Sequence, residues 1–218
     1  IYNGTPREKY ASLDSSRIHE LAALYNINPD THVVGCVARV SKRKHHAQLL
    51  QALKYVNSPV TLLFVGASKR PELVALANVI ADKHTVHFCG TIPPVDSLHH
   101  MALFDVFVLP STMEGLSQSI LEAMALGIPV LATRAGGNID LVRDDINGFL
   151  FDHNDAHGLA KRIEQLLSNA SLRTALAERA KQTALREFSI ELTIDFHEQF
   201  FQSLLSKRQD HQADILPA

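Results

Sequence analysis

The chain has 218 residues and a formal net charge of −2, with 46% hydrophobic and 20% charged residues. This length suits one α/β domain or two small ones, and the composition excludes a disordered or fibrous chain. The small net charge excludes the global basic field that drives non-specific nucleic-acid binding, so we expect no nucleic-acid partner and only local anion sites.

The first 30 residues are predicted to form a linker and a helical segment. The stretch Asn3-Gly4-Thr5-Pro6 has turn-like composition, typical of a boundary between domains. No apolar run approaches the roughly 18 residues that span a bilayer, and the start has no signal-peptide layout. We expect no transmembrane segment and a cytoplasmic location, which includes the cytoplasmic face of a membrane.

From Thr31 onward, short apolar runs alternate with longer segments of helical spacing, which predicts βαβ units and a parallel sheet. The predicted strands are His32–Ala38, Val60–Val65, Val86–Cys89, Asp105–Leu109, Pro129–Ala132 and Gly148–Phe151. The predicted helices between them are His45–Tyr55, Glu72–Asp82, Asp96–Ala102, Ser117–Leu126 and Asn138–Val142. Right-handed crossovers would place helices on both faces, so the predicted fold class is α/β, a Rossmann-like doubly wound parallel sheet of about six strands.

The last third of the chain is predicted to be helical to about Leu205, with Ser171 and Ser189 as N-caps after two breaks. The main domain is therefore expected to span 31–206, followed by a flexible tail at 207–218. Cys36 and Cys89 lie in predicted buried strands, typical of core residues in a reducing compartment.

Open parallel sheets bind ligands in loops beyond the carboxyl ends of their strands, which makes three loops candidates. The first loop, after strand one, carries Arg39, Lys42, Arg43 and Lys44 at the entry to a helix. Helix N-terminal amides favour phosphate there, while Arg39 adds a bidentate fork and Lys44 a mobile point charge. A solvated basic turn explains the charges equally well.

The second loop follows strand four and continues into a helix. Glu114 lies in the turn, Glu122 lies early in the helix, and Gly115 allows a close backbone approach. Two carboxylates so separated can accept hydrogen bonds from opposite ends of one polyhydroxylated ligand, and amides at 116–119 could meet phosphate. Considered locally, a capping box between Ser119 and Glu122 beside a solvated Glu114 is the simpler account.

The third loop follows strand five and contains the pair Gly136-Gly137 before a helix. Paired glycines there can expose backbone amides toward a ligand, although an ordinary tight turn explains them as well.

Together these segments resemble the donor domain of retaining GT-B glycosyltransferases of group 1, also called family 4. The strongest element is the pair of glutamates separated by seven residues, Glu114 and Glu122, which Gly127-Ile128-Pro129-Val130 follows. The Gly136-Gly137 and Asn147-Gly148 turns fall in the family's order. The resemblance covers Val33 to about Phe188 and implies the C-terminal half of a GT-B fold with extra C-terminal helices.

The resemblance implies that Arg39 and Lys44 bind the donor diphosphate, that Glu114 holds sugar hydroxyls and that Glu122 holds the ribose. It implies direct roles in catalysis for Arg39, Lys44 and Glu114. Further donor-binding candidates are Gly115, Leu116, Ser117 and Gln118, with backbone contacts from Gly136 and Gly137. The implied substrate is a UDP-, GDP- or ADP-sugar, and neither a metal nor another cofactor is implied.

The resemblance also implies an N-terminal acceptor domain outside this chain, to which any peripheral membrane contact would belong. The chain alone is then expected to bind donor weakly and to turn nothing over. One departure is His45-His46, which stands where the family has glycine after the lysine, and these side chains are expected to narrow the phosphate loop.

Other interpretations stay open at this point. A sugar-nucleotide epimerase shares the fold, and a non-catalytic nucleotide-binding or assembly domain would retain the same loops. An NAD-dependent oxidoreductase is disfavoured because the first strand-to-helix turn lacks Gly-x-Gly-x-x-Gly. A metal site at His153 and His157 is disfavoured against helix capping by Asn154 or Asp155.

Overall fold

The computed structural model describes residues 4–11 and 13–213, with side chains up to residue 206. The strands are β1 (His32–Val37), β2 (Val60–Val65), β3 (Thr85–Gly90), β4 (Val106–Leu109), β5 (Val130–Thr133) and β6 (Phe149–Phe151). The helices are α1 (Glu8–Ala11), α2 (Ser15–Leu24), α3 (His46–Leu53), α4 (Pro71–Val79), α5 (Pro94–Met101), α6 (Gln118–Ala125), α7 (Asn138–Leu141), α8 (Ala156–Ser168), α9 (Ala170–Glu187) and α10 (Ile190–Ala213). A short 3-10 helix at Lys42–Lys44 precedes α3.

All six strands are parallel and lie in the order β3-β2-β1-β4-β5-β6. The predicted doubly wound α/β sheet is thereby confirmed. Strands β2 and β4 are buried along their whole length, because helices cover both faces of the sheet. The strand order changes direction between β1 and β4, and in open parallel sheets ligands bind at the carboxyl ends of the two strands on either side of such a point.

The core lies on both sides of this sheet, and its largest fully buried side chains include Phe64, Phe107 and Phe149. Gly35 in β1 is required by packing, since a Cβ there would lie 2.1 Å from the ring of Phe104. Cys36 is fully buried as predicted, whereas Cys89 is only half-buried because β3 is an edge strand.

Of the two predicted N-caps in the last third of the chain, one is wrong and one is confirmed. Ser171 is not an N-cap, because the helix begins earlier and the Asn169 side chain accepts a hydrogen bond from the Leu172 amide at 2.9 Å. Ser189 does cap the last helix, with its hydroxyl accepting from the Leu192 amide at 3.3 Å.

The helix α10 continues to Ala213, so the backbone of 207–213 is helical although this part was assigned to a flexible tail. Residues 214–218, and Asn3 of the predicted linker, lie outside the described residues. The predicted limits of the domain therefore remain predictions. No helix within 4–11 and 13–213 is both long and apolar enough to cross a bilayer.

The described part of residues 4–14, here called the entry segment, is attached to the C-terminal helices. The Thr5 amide donates to the Phe188 carbonyl at 2.9 Å, and the Ile190 amide donates to the Thr5 carbonyl at 3.2 Å. These bonds form a parallel bridge between Thr5 and Ser189. The chain therefore enters the domain at the junction of α9 and α10.

Candidate functional site

The loops after β1 and β4 meet at the edge of the sheet where the strand order changes. The Thr112 amide donates to the Arg43 carbonyl at 3.0 Å, and the His45 Nε2 lies 3.0 Å from the Thr112 hydroxyl. These two bonds hold the first and second candidate loops side by side.

Lys44 of the first loop and Glu114 of the second form an ion pair, although 70 residues separate them in the sequence. Their side chains keep 25% and 13% exposure, so the pair is largely shielded yet open at one side. The structure thus brings together one predicted cation and one predicted carboxylate.

Arg39 lies at the carboxyl end of β1 with an exposed side chain. Within the described part of the chain, its guanidinium has neither an ion pair nor a hydrogen bond. It is therefore a cation at the rim of the sheet whose donors are available to an anion.

The third loop packs directly against the second. The Gly137 amide donates to the Glu114 carbonyl at 3.0 Å, so this amide is used within the protein. A Cβ on Gly137 would lie 1.3 Å from the Gly115 oxygen, and one on Gly136, which has φ +52°, would lie 2.7 Å from the Glu114 oxygen. The paired glycines thus allow two backbones to touch.

Sequence reasoning missed Asn138, which is fully buried beside these glycines. Its side-chain amide donates to the Ser111 and Thr133 carbonyls, both at 3.1 Å, and so joins the ends of β4 and β5. A polar residue directly after two glycines at a helix start was the available signal.

Glu122 lies one turn into α6 and pairs with Lys9 of the entry segment, with 2.6 Å between Nζ and Oε1. The locally favoured capping box is wrong, because Ser117 is the N-cap and its hydroxyl accepts from the Ile120 amide at 3.5 Å. Ser119 is already inside the helix, so it cannot cap it. Ser117 is itself buried, whereas Gln118 beside it is exposed.

The two histidines after Lys44 have different surroundings. His46 is buried and its Nε2 lies 3.2 Å from the Ala38 carbonyl, while burial lowers its pKa, an effect that the charges of Lys44 and His45 reinforce. His45 has a left-handed backbone with φ +44°, and its ring packs 4.2 Å from that of His153. Burial and the charge of His153 both lower the His45 pKa. The expected narrowing of the phosphate loop remains a prediction, and His45 is the more exposed of the two side chains.

An open cavity of about 370 Å³ lies beside the first loop, at the starts of α3 and α4. Its walls include Lys42, His45, His46 and Arg70 but neither of the candidate glutamates. This cavity adjoins the cationic loop and is distinct from the surface around the Lys44–Glu114 pair.

The histidines considered for a metal do not converge. Asp155 caps α8 by accepting from the Gly158 amide at 2.8 Å, as predicted. The ring of His153 packs on His45, whereas that of His157 stacks on Tyr55 at 3.7 Å. No group of three or more His, Cys, Asp or Glu that could hold a metal occurs among the side chains that the structure describes.

Comparison with known proteins gives a family match over most of the chain. Residues 18–183 match the model described as glycosyl transferases group 1. The lipopolysaccharide core biosynthesis glycosyltransferase LpsE of Rhizobium meliloti is 36% identical over 174 residues, which cover 80% of this chain and 51% of LpsE. The capsular polysaccharide biosynthesis glycosyltransferase CapM of Staphylococcus aureus is 27% identical, covering 95% of this chain and 54% of CapM. The chain spans about half the length of these relatives.

Solved structures share the fold. A glycosyltransferase from Rickettsia africae superposes with a TM-score of 0.82 at 22% identity, covering 94% of this chain and 56% of that one. Anabaena HepE in complex with UDP gives 0.80 at 26% identity, covering 94% of this chain and 57% of HepE. HepE in complex with UDP-glucose gives a TM-score of 0.79 with the same identity and coverage.

Proposed function

The chain belongs to the group 1 glycosyl transferases, and from this membership we propose that it is the nucleotide-sugar-binding half of a glycosyltransferase. The observation that carries the proposal is the shielded ion pair of Lys44 and Glu114, from the loops after β1 and β4, at the sheet edge where Arg39 is also exposed. Cations suit a diphosphate and a carboxylate suits sugar hydroxyls, so one rim offers partners for both parts of a donor. HepE, which resembles this chain at 26% identity, binds UDP and UDP-glucose.

In the proposed reaction the bond between the anomeric carbon and the diphosphate breaks, and negative charge develops on the leaving group. Arg39 and Lys44 would stabilise this charge as fixed cations, while Glu114 would hold hydroxyls of the sugar. Glu122 would accept from the ribose, and transfer would proceed with retention at the anomeric carbon. Loss of one such cation is expected to cost about 3 kcal/mol of transition-state stabilisation, by analogy with oxyanion donors.

The helix α10 supports the proposal that an acceptor-binding half precedes this chain in the whole protein. Every described side chain from Ile194 to Ser206 is exposed. One face of the helix is nevertheless apolar, formed by Ile194, Phe196, Phe200, Phe201, Leu204 and Leu205. An exposed apolar face of this size normally packs against another element.

The position and charge of this apolar face favour the preceding half as its partner. The entry segment, which is the first described part of the chain, is bonded beside the start of the helix that carries this face. The remaining surface of this helix carries Glu191, Asp195 and Glu198, and these acidic residues do not suit an anionic lipid surface. We therefore expect the chain alone to lack transferase activity.

Calorimetric titration of the chain with UDP, GDP and ADP tests the proposed function. We expect measurable but weak binding of at least one nucleotide. Arg39→Met should bind that nucleotide substantially more weakly. The matched control is Lys54→Met, because Lys54 is exposed and lies away from the rim. No heat with any of the three, from a sample shown to be folded by circular dichroism, would remove the donor-binding proposal. Sugar transfer by the chain alone would instead remove the need for a second half.

A further inference from the structure

The ion pair between Lys9 and Glu122 joins the entry segment to α6 across 113 positions of sequence. The Nζ of Lys9 lies 2.6 Å from Oε1 of Glu122, whose side chain is only 13% exposed. A charge-assisted bond of this length to a shielded carboxylate restricts the rotation of that carboxylate.

Lys9 is itself held on both sides. Before it, Thr5 is bonded into the junction of α9 and α10, and the Tyr10 hydroxyl bonds to the Thr5 hydroxyl. After it, the Asp14 amide donates to Nε2 of His99 at 3.2 Å. The ammonium of Lys9 also lies 5.9 Å from the centre of the Tyr10 ring. The lysine is therefore presented by an anchored segment rather than by a free chain end.

In a site for a diphosphate, Lys9 would neutralise the negative charge of Glu122. Two carboxylates in the proposed donor site would repel such a ligand if they were uncompensated. Glu114 is compensated by Lys44, and Glu122 by Lys9. Among the described residues of the first loop, the exposed Arg39, Lys42 and Arg43 then remain as cations that pair with no carboxylate.

We propose that Lys9 is a positioning residue for the donor site: it binds Oε1 of Glu122 and leaves Oε2 to accept from the ribose hydroxyls of a nucleoside diphosphate. This inference rests on the proposed function. It extends the site to a segment outside the matched family region, which begins at residue 18. A consequence is that donor affinity depends on how the entry segment is anchored.

A double-mutant cycle on UDP binding, measured by calorimetry, tests the inference. We expect Lys9→Met to weaken UDP binding about tenfold, as loss of a hydrogen bond to a charged group does. Lys9→Arg should restore affinity to within about threefold, since it keeps the charge and the donors. Glu122→Gln should weaken UDP binding and leave pyrophosphate binding nearly unchanged, and adding Lys9→Met to it should change the UDP affinity less than about twofold.

The possible outcomes separate the two proposals. If the wild-type chain binds none of UDP, GDP or ADP, the proposed function fails and this inference fails with it. If the wild type binds UDP and Lys9→Met binds it as well as the Lys54→Met control does, only the role of Lys9 is overturned. An equal loss from Lys9→Met in the wild type and in Glu122→Gln would also overturn that role, because Lys9 would then act independently of Glu122.

Discussion

Gly115 and Gly137 face each other where the second and third loops touch, but only one of them is constrained. We expect Gly137→Ala to destabilise the fold by about 3 kcal/mol, because its Cβ would lie 1.3 Å from the Gly115 oxygen and the two backbones would have to separate. Chemical denaturation monitored by circular dichroism measures this change.

Gly115→Ala is the matched control, since a Cβ there meets nothing within 4 Å. Its free energy of unfolding should stay within about 1 kcal/mol of the wild type. Equal stabilities of the two variants would show that the contact between the loops is not as close as described.

The positions of single residues could be predicted where a sequence motif coincided with the carboxyl end of a strand. The carboxyl ends of parallel strands meet at one edge, so a lysine after strand one and a glutamate after strand four were predicted to be neighbours, and Lys44 and Glu114 do pair. Lys9 could not be found in this way, because no local pattern links it to a glutamate 113 residues later. The roles of these residues in donor binding remain predictions.

Among the elements, α8 holds the turn before β2 through a single carboxylate. Glu164 accepts from the Asn57 amide at 2.8 Å and from the Ser58 hydroxyl at 2.7 Å. Burial raises the pKa of Glu164. The hydrogen bonds from Ser58 and Asn57 and the charge of Lys83 lower this pKa by a larger amount, so the net pKa is below its usual range. The ionised form therefore stabilises the folded state.

This linkage predicts a pH-dependent contribution to stability. A carboxyl with a depressed folded-state pKa stabilises the protein above its unfolded pKa of roughly 4.3, and the contribution is lost as pH falls through the folded value. We expect Glu164→Gln to lower the free energy of unfolding by about 1 kcal/mol at pH 7, allowing for solvent screening, and by less as the pH drops below about 4. Thermal unfolding of the wild type and the variant from pH 7 to pH 3 measures this difference. Glu198→Gln on the exposed face of α10 should show no such trend, and a constant cost for Glu164→Gln across this range would contradict the linkage.

The secondary structure was largely predictable because buried strands and amphipathic helices leave different periodicities in the sequence. Helix ends were less predictable, since several residues near a break can cap a helix. Ser171 and Asn169 both suit an N-cap, and only the backbone geometry, with Asn169 outside the helical region, selects between them. The predicted break in the chain was correct, but the residue chosen to cap the helix after it was not.

The apolar face of α10 predicts different effects of mutation in this chain and in the longer protein that we propose. The pair Phe200→Ser and Phe201→Ser should change the stability of this chain by less than about 1 kcal/mol, because both rings are at least half exposed. In a protein with the preceding half, the same pair should cost about 3 kcal/mol or more, since the rings would then be buried. Thermal unfolding of both forms measures the difference.

The matched control is Gln199→Ser with Gln202→Ser on the same helix, which should leave both forms unchanged. If the phenylalanine pair affects the longer protein no more than this control does, the apolar face does not contact the preceding half.

The overall fold followed from the alternation of strands and helices, together with the handedness of their connections. What could not be predicted is where the entry segment is attached to the rest of the domain. The bond between Thr5 and the Ser189 region depends on the full three-dimensional path of the chain, and a turn-like sequence at Asn3-Gly4 gave no hint of its partner.

The bridge between Thr5 and Ser189 brings the entry segment and the end of α9 to neighbouring positions, about 5 Å apart as in any paired strands, and α10 continues beyond this point. A segment whose two ends lie side by side can be inserted between two consecutive residues of another protein. The stretch between these residues could therefore be grafted into a surface loop of an unrelated scaffold, or recombined between homologues, without stretching the flanking chain. Evolution could exchange such a module intact, and so could a protein engineer.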